Sequence, residues 1–315
     1  MKQALTAKKS WGQRFRRDYL SHWQLYLFLL LPIIYLILFD YIPMAGAQIA
    51  FRDFNPQEGI WGSPWVGWKN FERFFNSYQF WDILFNTLFL SIYGLLVSFP
   101  LPIILALVLN SFPGVRFKKT VQTVSYIPHF ISTVVIVGML MQLFNPRTGA
   151  IGNIYTHLTG NVMKDLFAEP SAFPHLYVWS GIWQSIGWSS IIYIAALSNV
   201  DTELHEAAQI DGASRFRRVL HIDLPSILPT TTIMLILSAG KVMSVGFEKV
   251  FLMQNSLNIS ASEVISTYVY KVGMVIGTGD YSFATAIGLF NSVINFILLI
   301  IVNFISKKVS ETSLW

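Results

Sequence analysis

The segment whose residue types and spacing point to a specific interaction runs from Glu203 to Pro229, between two apolar stretches. Gly212 interrupts a short helix predicted over Glu203–Ile210, since glycine is costly inside a helix and permissive at a bend. Ser214 can cap a second helix, which Leu224-Pro225 is expected to end because proline disfavours the helical conformation in its predecessor. The pattern therefore predicts two short helices at an angle, with a small-residue, partly apolar face formed by Ala207, Ala208, Ala213 and Phe216.

Such a rigid element can dock in a groove on a partner and transmit force to the apolar stretches on both sides. The alternative is an ordinary solvated connector with helical turns. Catalysis is not indicated, because no G-x-x-x-x-G-K-[ST], H-E-x-x-H or G-x-S-x-G motif occurs in the chain. The absence of Cys excludes disulfides, thiolate metal sites and thiol nucleophiles. We expect no catalytic residue and no metal site.

The elements that must position this segment are membrane spans. Of the 315 residues, 53% are hydrophobic and 12% are charged, whereas a soluble domain carries about 25% charged residues. Apolar runs of about 20 residues fill the bilayer core. The sequence predicts an all-α polytopic membrane protein with six spans, Leu25–Ile42, Ile83–Leu109, Val121–Phe144, Leu176–Asn199, Ile227–Phe247 and Phe283–Ile305.

The positive-inside rule orients these spans. Segments on the N-terminal side, 1–24, 110–120, 200–226 and 306–315, hold 14 of the 22 Lys and Arg residues, and the longer outer loops hold seven. Both termini are therefore predicted to be cytoplasmic. Because the basic residues lie beside apolar spans rather than in one stripe, the net charge of +5 does not indicate a nucleic-acid partner. The first apolar run is too long for a signal peptide and is taken as a retained span.

The first outer loop is crowded with aromatic residues, namely Trp61, Trp65, Trp68, Phe71, Phe74, Phe75 and Trp81. They predict either an aromatic belt at the membrane interface or a docking surface for an extracytoplasmic partner.

The ordered series Glu206-Ala207-Ala208, Asp211-Gly212-Ala213 and Leu224-Pro225 resembles the EAA motif of ATP-binding-cassette (ABC) importer permeases, at the family's spacing. The resemblance implies the MetI-like fold of type I importers. It also implies that the motif docks on a cytoplasmic ATPase and couples ATP-driven closure of that ATPase to movement of the spans. The implied residues are Glu206, Ala207, Ala208, Asp211, Gly212, Ala213, Leu224 and Pro225.

Other stretches extend the resemblance over most of the chain. Asn86-Thr87 and Tyr126-Ile127-Pro128 are similar to the same family. The chain as a whole resembles the maltose-type carbohydrate permeases. The first loop, Asp40 to Pro43 and Gly67 to Phe71, resembles the branch that handles polysaccharide fragments such as alginate or rhamnogalacturonan pieces.

This resemblance implies a division of the chain and a set of partners. Residues 1–24 are a basic cytoplasmic tail, 25–80 the first span and outer loop, 81–306 the transporter domain with the coupling segment at 203–229, and 307–315 a second cytoplasmic tail. The implied partners are a second homologous permease, two ABC ATPases that bind ATP and Mg²⁺, and an extracytoplasmic solute-binding protein. The chain itself is expected to need no cofactor and to lie in a bacterial inner membrane.

A sugar path through the spans needs aromatic faces, amides and hydroxyls that face the bundle interior. Gly181, Gln184, Ser185 and Trp188 share one helical face in the fourth span. Counting from the EAA motif places them, with Phe130 and Lys241, where maltose-type permeases contact sugar. The alternative for the fourth span is helix–helix packing, with Trp183 or Trp188 at lipid headgroups.

Polar residues in the last two spans extend this set. A lysine inside a span costs about 2.5–3.5 kcal/mol, so Lys241 either snorkels to the outer interface or supplies a cation for an acidic sugar. Asn291 and Asn295 either line the same cavity or bridge helices.

Other function classes remain open at this stage. The EAA motif does not separate oligosaccharides from other solutes such as glycerol phosphate or an amino acid. A secondary transporter or channel that uses Lys241 in an ion pathway needs no ATPase partner, and a membrane scaffold needs no transport. The complete coupling motif favours the ABC importer over both.

Overall fold

The computed structural model describes residues 22–275 and 279–310, and this part of the chain is helical almost throughout. Its one β-interaction is an isolated antiparallel bridge between Arg52 and Trp65, so the all-α prediction is confirmed. Most of the predicted basic tail and residues 311–315 lie outside the described residues. The helices are α1 (Trp23–Phe51), α2 (Lys69–Phe75), α3 (Phe80–Ser111), α4 (Val115–Phe130), α5 (Thr133–Leu143), α6 (Ala150–Thr159), α7 (Phe173–Leu197), α8 (Thr202–Ile210), α9 (Arg215–Ala239), α10 (Phe247–Met253), α11 (Ile265–Tyr270) and α12 (Tyr281–Ser310).

Four of the described helices, α1, α3, α9 and α12, are long and apolar enough to cross a membrane. The pair α4 and α5 meets the same criterion when it is counted as one bent span. Helix α7 has 25 residues, among which serine, glycine and tryptophan are frequent. These six segments fit the predicted number of spans. No side chain in the first 14 residues of α1 is buried, as expected of a helix surrounded by lipid.

The predicted third span, Val121–Phe144, is not one straight helix. Helices α4 and α5 meet at an angle of 100°, because α4 tightens into a 3₁₀ turn over Ile127–Phe130 and Ile131 is extended. Ser132 then starts α5, where its hydroxyl accepts a hydrogen bond from the backbone N–H of Val135 at 3.4 Å.

The predicted end of the second short helix at Leu224-Pro225 is wrong. Helix α9 runs without interruption from Arg215 to Ala239 and passes through Pro225 and Pro229. A wide π-helical turn over Val219–Asp223 precedes Pro225. Such a turn rearranges the backbone hydrogen bonds next to a residue that has no N–H to donate. The fifth span consequently starts in the predicted coupling segment and ends at Ala239, not at Phe247.

Buried residues join the described helices in four clusters, three of which connect α3 to its neighbours. Phe74, Ile83 and Ile287 pack α2 and α3 against α12. Leu90 and Val250 belong to a cluster that brings α10 onto α3 and α7. On the side of the coupling segment, a third cluster holds α3, α7 and α9 together through Ala106, Tyr193 and Ile227.

One glycine permits a close contact between α7 and α4. A Cβ atom at Gly187 of α7 would overlap the backbone carbonyl of Ser125 in α4. Gly138 of α5 is also helical, but a Cβ there would meet no atom within 4 Å.

We therefore expect Gly187→Ala to lower the thermal stability of the purified subunit in detergent. Overpacking a tight contact costs about 1–3 kcal/mol. Gly138→Ala is the matched control and should leave the melting temperature unchanged or slightly higher, since alanine is the better helix former by about 1 kcal/mol. Equal melting temperatures for the two variants would contradict the close crossing.

Candidate functional site: a coupling turn and an internal cavity

The predicted bend at Gly212 is confirmed, and local hydrogen bonds explain it. Helix α8 begins at the Asp201 cap, whose carboxylate accepts a bond from the Glu203 N–H at 2.9 Å. At its other end, the N–H of Gly212 donates to Gln209 O at 3.0 Å, and that of Ala213 donates to Ala208 O at 2.8 Å. This pair of bonds is a Schellman motif, which requires the left-handed conformation observed at Gly212 (φ 75°).

Helix α9 starts directly after this turn. The Ser214 hydroxyl accepts a bond from the Arg217 N–H at 3.4 Å, as predicted for a cap. Glu206, Ala207 and Asp211 are exposed. The apolar side chains of Ile210 and Phe216 are 87% and 71% exposed. A polar turn that presents large apolar side chains to water has the composition of a protein-docking surface.

Lys241 lies beyond the end of α9, in a turn, and not within a helical span. It lines a cavity of about 310 Å³ between α3, α7 and the chain that follows α9. The wall is rich in hydroxyl groups, contributed by Ser91, Ser98, Ser189, Ser238 and Ser244 together with Tyr177 and Tyr193. Among the described residues Lys241 has no ion-pair partner. A cation surrounded by hydroxyls suits a polyhydroxylated ligand that carries negative charge.

Three of the predicted path residues, Phe130 of α4 and Gln184 and Trp188 of α7, lie at the α4–α5 break. The indole ring of Trp188 stacks on the His129 ring, with centroids 4.4 Å apart, and Phe130 meets it edge-on at 5.7 Å. Gln184 donates from Nε2 to Ile131 O at 3.1 Å, so its amide bonds the backbone where α4 and α5 separate. Phe130 and Trp188 remain 73% and 45% exposed, which leaves aromatic surface for a ligand.

Gly181 faces a lysine. The Lys249 ammonium donates to Tyr177 O at 2.9 Å and lies 5.1 Å from the centre of the Tyr177 ring. A Cβ at Gly181 would stand 3.3 Å from that nitrogen, so the ammonium occupies the space that the missing side chain leaves. Ser185 bonds only the Gly181 carbonyl, at 2.8 Å, within its own helix.

Lys249 was not predicted from the sequence, which places it in an outer loop. It is 9% exposed, on α10 outside the membrane-spanning helices. No carboxylate of the described chain lies within ion-pair distance. Burial lowers the pKa of the Lys249 ammonium to about 8. The surroundings of Lys249 become apparent only in the folded chain. Three residues earlier, the N–H of Gly246 donates to the hydroxyl of the same Tyr177 at 3.2 Å.

The two asparagines of α12 do not share the Lys241 cavity. Asn295 bonds the turn after α9: its Oδ1 accepts from the Met243 N–H and its Nδ2 donates to the Ser244 hydroxyl, both at 2.9 Å. Asn291 lines a separate, mainly apolar groove between α1, α11 and α12, where its Oδ1 is buried and finds no hydrogen-bond partner among the residues that the structure describes. The eight predicted path residues are therefore distributed over several sites, and their contact with substrate stays a prediction.

In the first outer loop, Arg52 holds the aromatic side chains. Its guanidinium lies 5.9 Å from the Trp61 ring and 5.5 Å from the Trp65 ring, and it donates to Ser63 O at 2.7 Å. Trp61, Trp65 and Trp68 are 61–78% exposed. Phe71 and Phe74 of the predicted set are buried instead, 5% and 0% exposed, and pack in the core. The exposed tryptophans are compatible with both predicted roles, the interfacial belt and the docking surface.

Known proteins share this architecture. The family model of binding-protein-dependent transport system inner membrane components matches residues 98–311. Protein LplB of Bacillus subtilis (strain 168) is 43% identical over 99% of this chain and 96% of its own length. The polygalacturonan/rhamnogalacturonan transport system permease protein YteP of the same organism is 40% identical over the same shares of the two chains.

A solved structure gives the same result in three dimensions. The chain superimposes with a TM-score of 0.86 and 35% identity on a chain of a bacterial alginate ABC transporter in complex with an alginate pentasaccharide-bound periplasmic protein. The match covers 96% of this chain and 100% of that one.

The geometry at Gly181 leads to a specific expectation. Gly181→Val should lower the melting temperature of the purified subunit, because the added methyl groups displace the Lys249 ammonium from Tyr177 O. Lys249→Ala empties that space, so the valine should cost less in the Lys249→Ala background. Residues in contact show coupling energies of about 0.5–3 kcal/mol. Strictly additive losses in this double-mutant cycle would mean that the ammonium does not fill the space.

Proposed function

The chain belongs to the family of binding-protein-dependent transport system inner membrane components, and from this premise we propose that it is one permease subunit of an ATP-driven oligosaccharide importer. The observation that carries the proposal is the coupling turn. Every position of the EAA motif is present, the turn has an exposed docking surface, and α9 continues from it to the Lys241 cavity. The protein is a multi-pass transport subunit, not an enzyme.

We propose that the turn around Gly212 docks on a cytoplasmic ATPase of the ABC type, which binds ATP and Mg²⁺. When the ATPase closes, the turn moves, and α9 transmits that movement to the cavity wall. Two such ATPases, a second permease that completes the pathway, and an extracytoplasmic binding protein form the assembly. Docking on the ATPase places both termini in the cytoplasm of a bacterial cell, in agreement with the distribution of Lys and Arg.

For the substrate we propose an acidic oligosaccharide. Lys241 and the hydroxyl-rich cavity wall support this, because an ammonium and several hydroxyls complement carboxylates and sugar hydroxyls. The relatives support it as well, since one solved structure belongs to a transporter that imports the acidic polysaccharide alginate and YteP carries the name of a polygalacturonan/rhamnogalacturonan system. Phe130 and Trp188 offer exposed ring surface for stacking.

Gly212→Pro tests the coupling role. Proline requires a φ near −65°, whereas Gly212 has φ 75° and donates its N–H to Gln209. In the reconstituted complex we expect loss of the ATP hydrolysis that the loaded binding protein stimulates. Gly212→Asn is the matched control, because asparagine tolerates the left-handed conformation, and it should retain most of the stimulation. Glu206→Lys, which reverses an exposed charge on α8, should weaken it. Normal stimulation in the proline and lysine variants would remove the coupling role.

Lys241→Met tests the substrate class. Methionine approximates the length of lysine without its charge, so transport of a carboxylated oligosaccharide should fall at least about fivefold more than transport of its carboxyl-reduced counterpart, a difference of roughly 1 kcal/mol. The whole complex with its binding protein is used for both sugars. Lys164→Met, at an exposed outer-loop position, is the control and should affect neither. Equal losses for the two sugars would show that Lys241 serves packing or gating.

A further inference from the structure

The coupling helix α8 is weakly attached to its own subunit. None of its side chains is buried. Among the described residues, one polar side-chain contact joins it to another long helix: the imidazole Nε2 of His205 lies 3.1 Å from Oδ1 of Asp223. The His205 side chain is 23% exposed, and that of Asp223 is 2% exposed.

Asp223 connects more than these two helices. Its Oδ1 also accepts a hydrogen bond at 3.2 Å from Nδ2 of Asn110, near the end of α3. The backbone carbonyl of Asn110 in turn accepts a bond at 3.1 Å from the Lys118 ammonium of α4. A single buried carboxylate therefore lies where α3, α8 and α9 meet, and α4 is bonded to the same point.

A buried carboxylate is costly unless it is paired, and an apolar residue of similar size often stabilises such a position equally well. The presence of Asp223 where α3, α8 and α9 meet therefore points to a directional role. Ser111, Thr202, Arg215 and Arg218 line the same cavity of about 290 Å³ as this pair. Because polar side chains line this space, the polar contacts of Asp223 with His205 and Asn110 carry the connection.

We infer that His205, Asp223 and Asn110 are positioning residues that transmit the movement of α8 to α3 and α9. The inference rests on the proposed coupling to an ATPase and adds the internal link to it. The Schellman turn at Gly212 connects α8 to α9 through the backbone only. With the His205–Asp223 contact in place, α8 is held at two points and moves with the membrane helices. Without it, α8 can pivot on the turn, so that ATP hydrolysis moves the spans less effectively.

The test measures sugar transported per ATP hydrolysed in the reconstituted complex. His205→Ala and Asn110→Ala should each lower this ratio at least about fivefold, which is the lower range of coupling between distant sites. Complex assembly, followed by size-exclusion chromatography, should be unchanged, since neither residue belongs to the docking surface. His205→Gln keeps a donor and should restore part of the ratio.

Asn199→Ala is the matched control. Asn199 follows α7 at the same end of the bundle, and within the described part of the chain its side-chain amide donates only to Ala195 O of that helix, at 3.3 Å, so its removal should leave the ratio unchanged. A ratio within twofold of the wild type for both His205→Ala and Asn110→Ala would overturn the inference, as would loss of assembly or an equal effect of Asn199→Ala. If Gly212→Pro abolishes stimulated hydrolysis while His205→Ala has no effect, only this inference fails. If both leave coupling normal, the proposed function fails with it.

Discussion

A helix that ends inside hydrocarbon leaves backbone N–H and C=O groups without water to bond, so each must find a partner within the protein. At the two breaks in the bundle, side chains from other helices supply such partners. At the α4–α5 break, Gln184 donates to Ile131 O. After α9, Asn295 accepts from the Met243 N–H and Tyr177 accepts from the Gly246 N–H. These polar side chains of the spans thus form hydrogen bonds with backbone groups at the breaks.

These side chains also determine where the cavity lies. Because Asn295 and Tyr177 hold the chain that follows α9, Lys241 is placed beside the serines of α3 and α7 rather than in lipid. Lys249 strengthens this arrangement by donating to Tyr177 O, a charge-assisted bond that anchors α10 on α7. The hydrogen bonds that satisfy the backbone at the breaks therefore also position the polar side chains that line the cavity.

The end of the bundle that carries Gly212 matters for the proposed coupling. Helix α9 has 25 residues, from Arg215 to Ala239, which is a length of about 37 Å at 1.5 Å per residue. The helix connects the turn at Gly212 to the cavity without a break, since the π-helical turn accommodates Pro225 without ending the helix. In the proposed mechanism, a displacement at Gly212 would reach the turn that carries Lys241.

The sequence by itself determined the features that depend on neighbouring residues. Apolar run length predicted the spans. Glycine, which is costly inside a helix and permissive at a bend, predicted the bend at Gly212. The short polar side chain of Ser214 predicted the helix cap there. The EAA motif indicated the family because its residues lie at fixed spacings within 20 positions of the sequence. Only the tertiary structure decided the break at Ile131, the end of α9 at Ala239 and the lysine opposite Gly181. Each of these depends on a partner 50 or more residues away, such as Gln184, Asn295 or Lys249. The local sequence pattern carries no information about which distant side chain will contact a given backbone group or fill a given space.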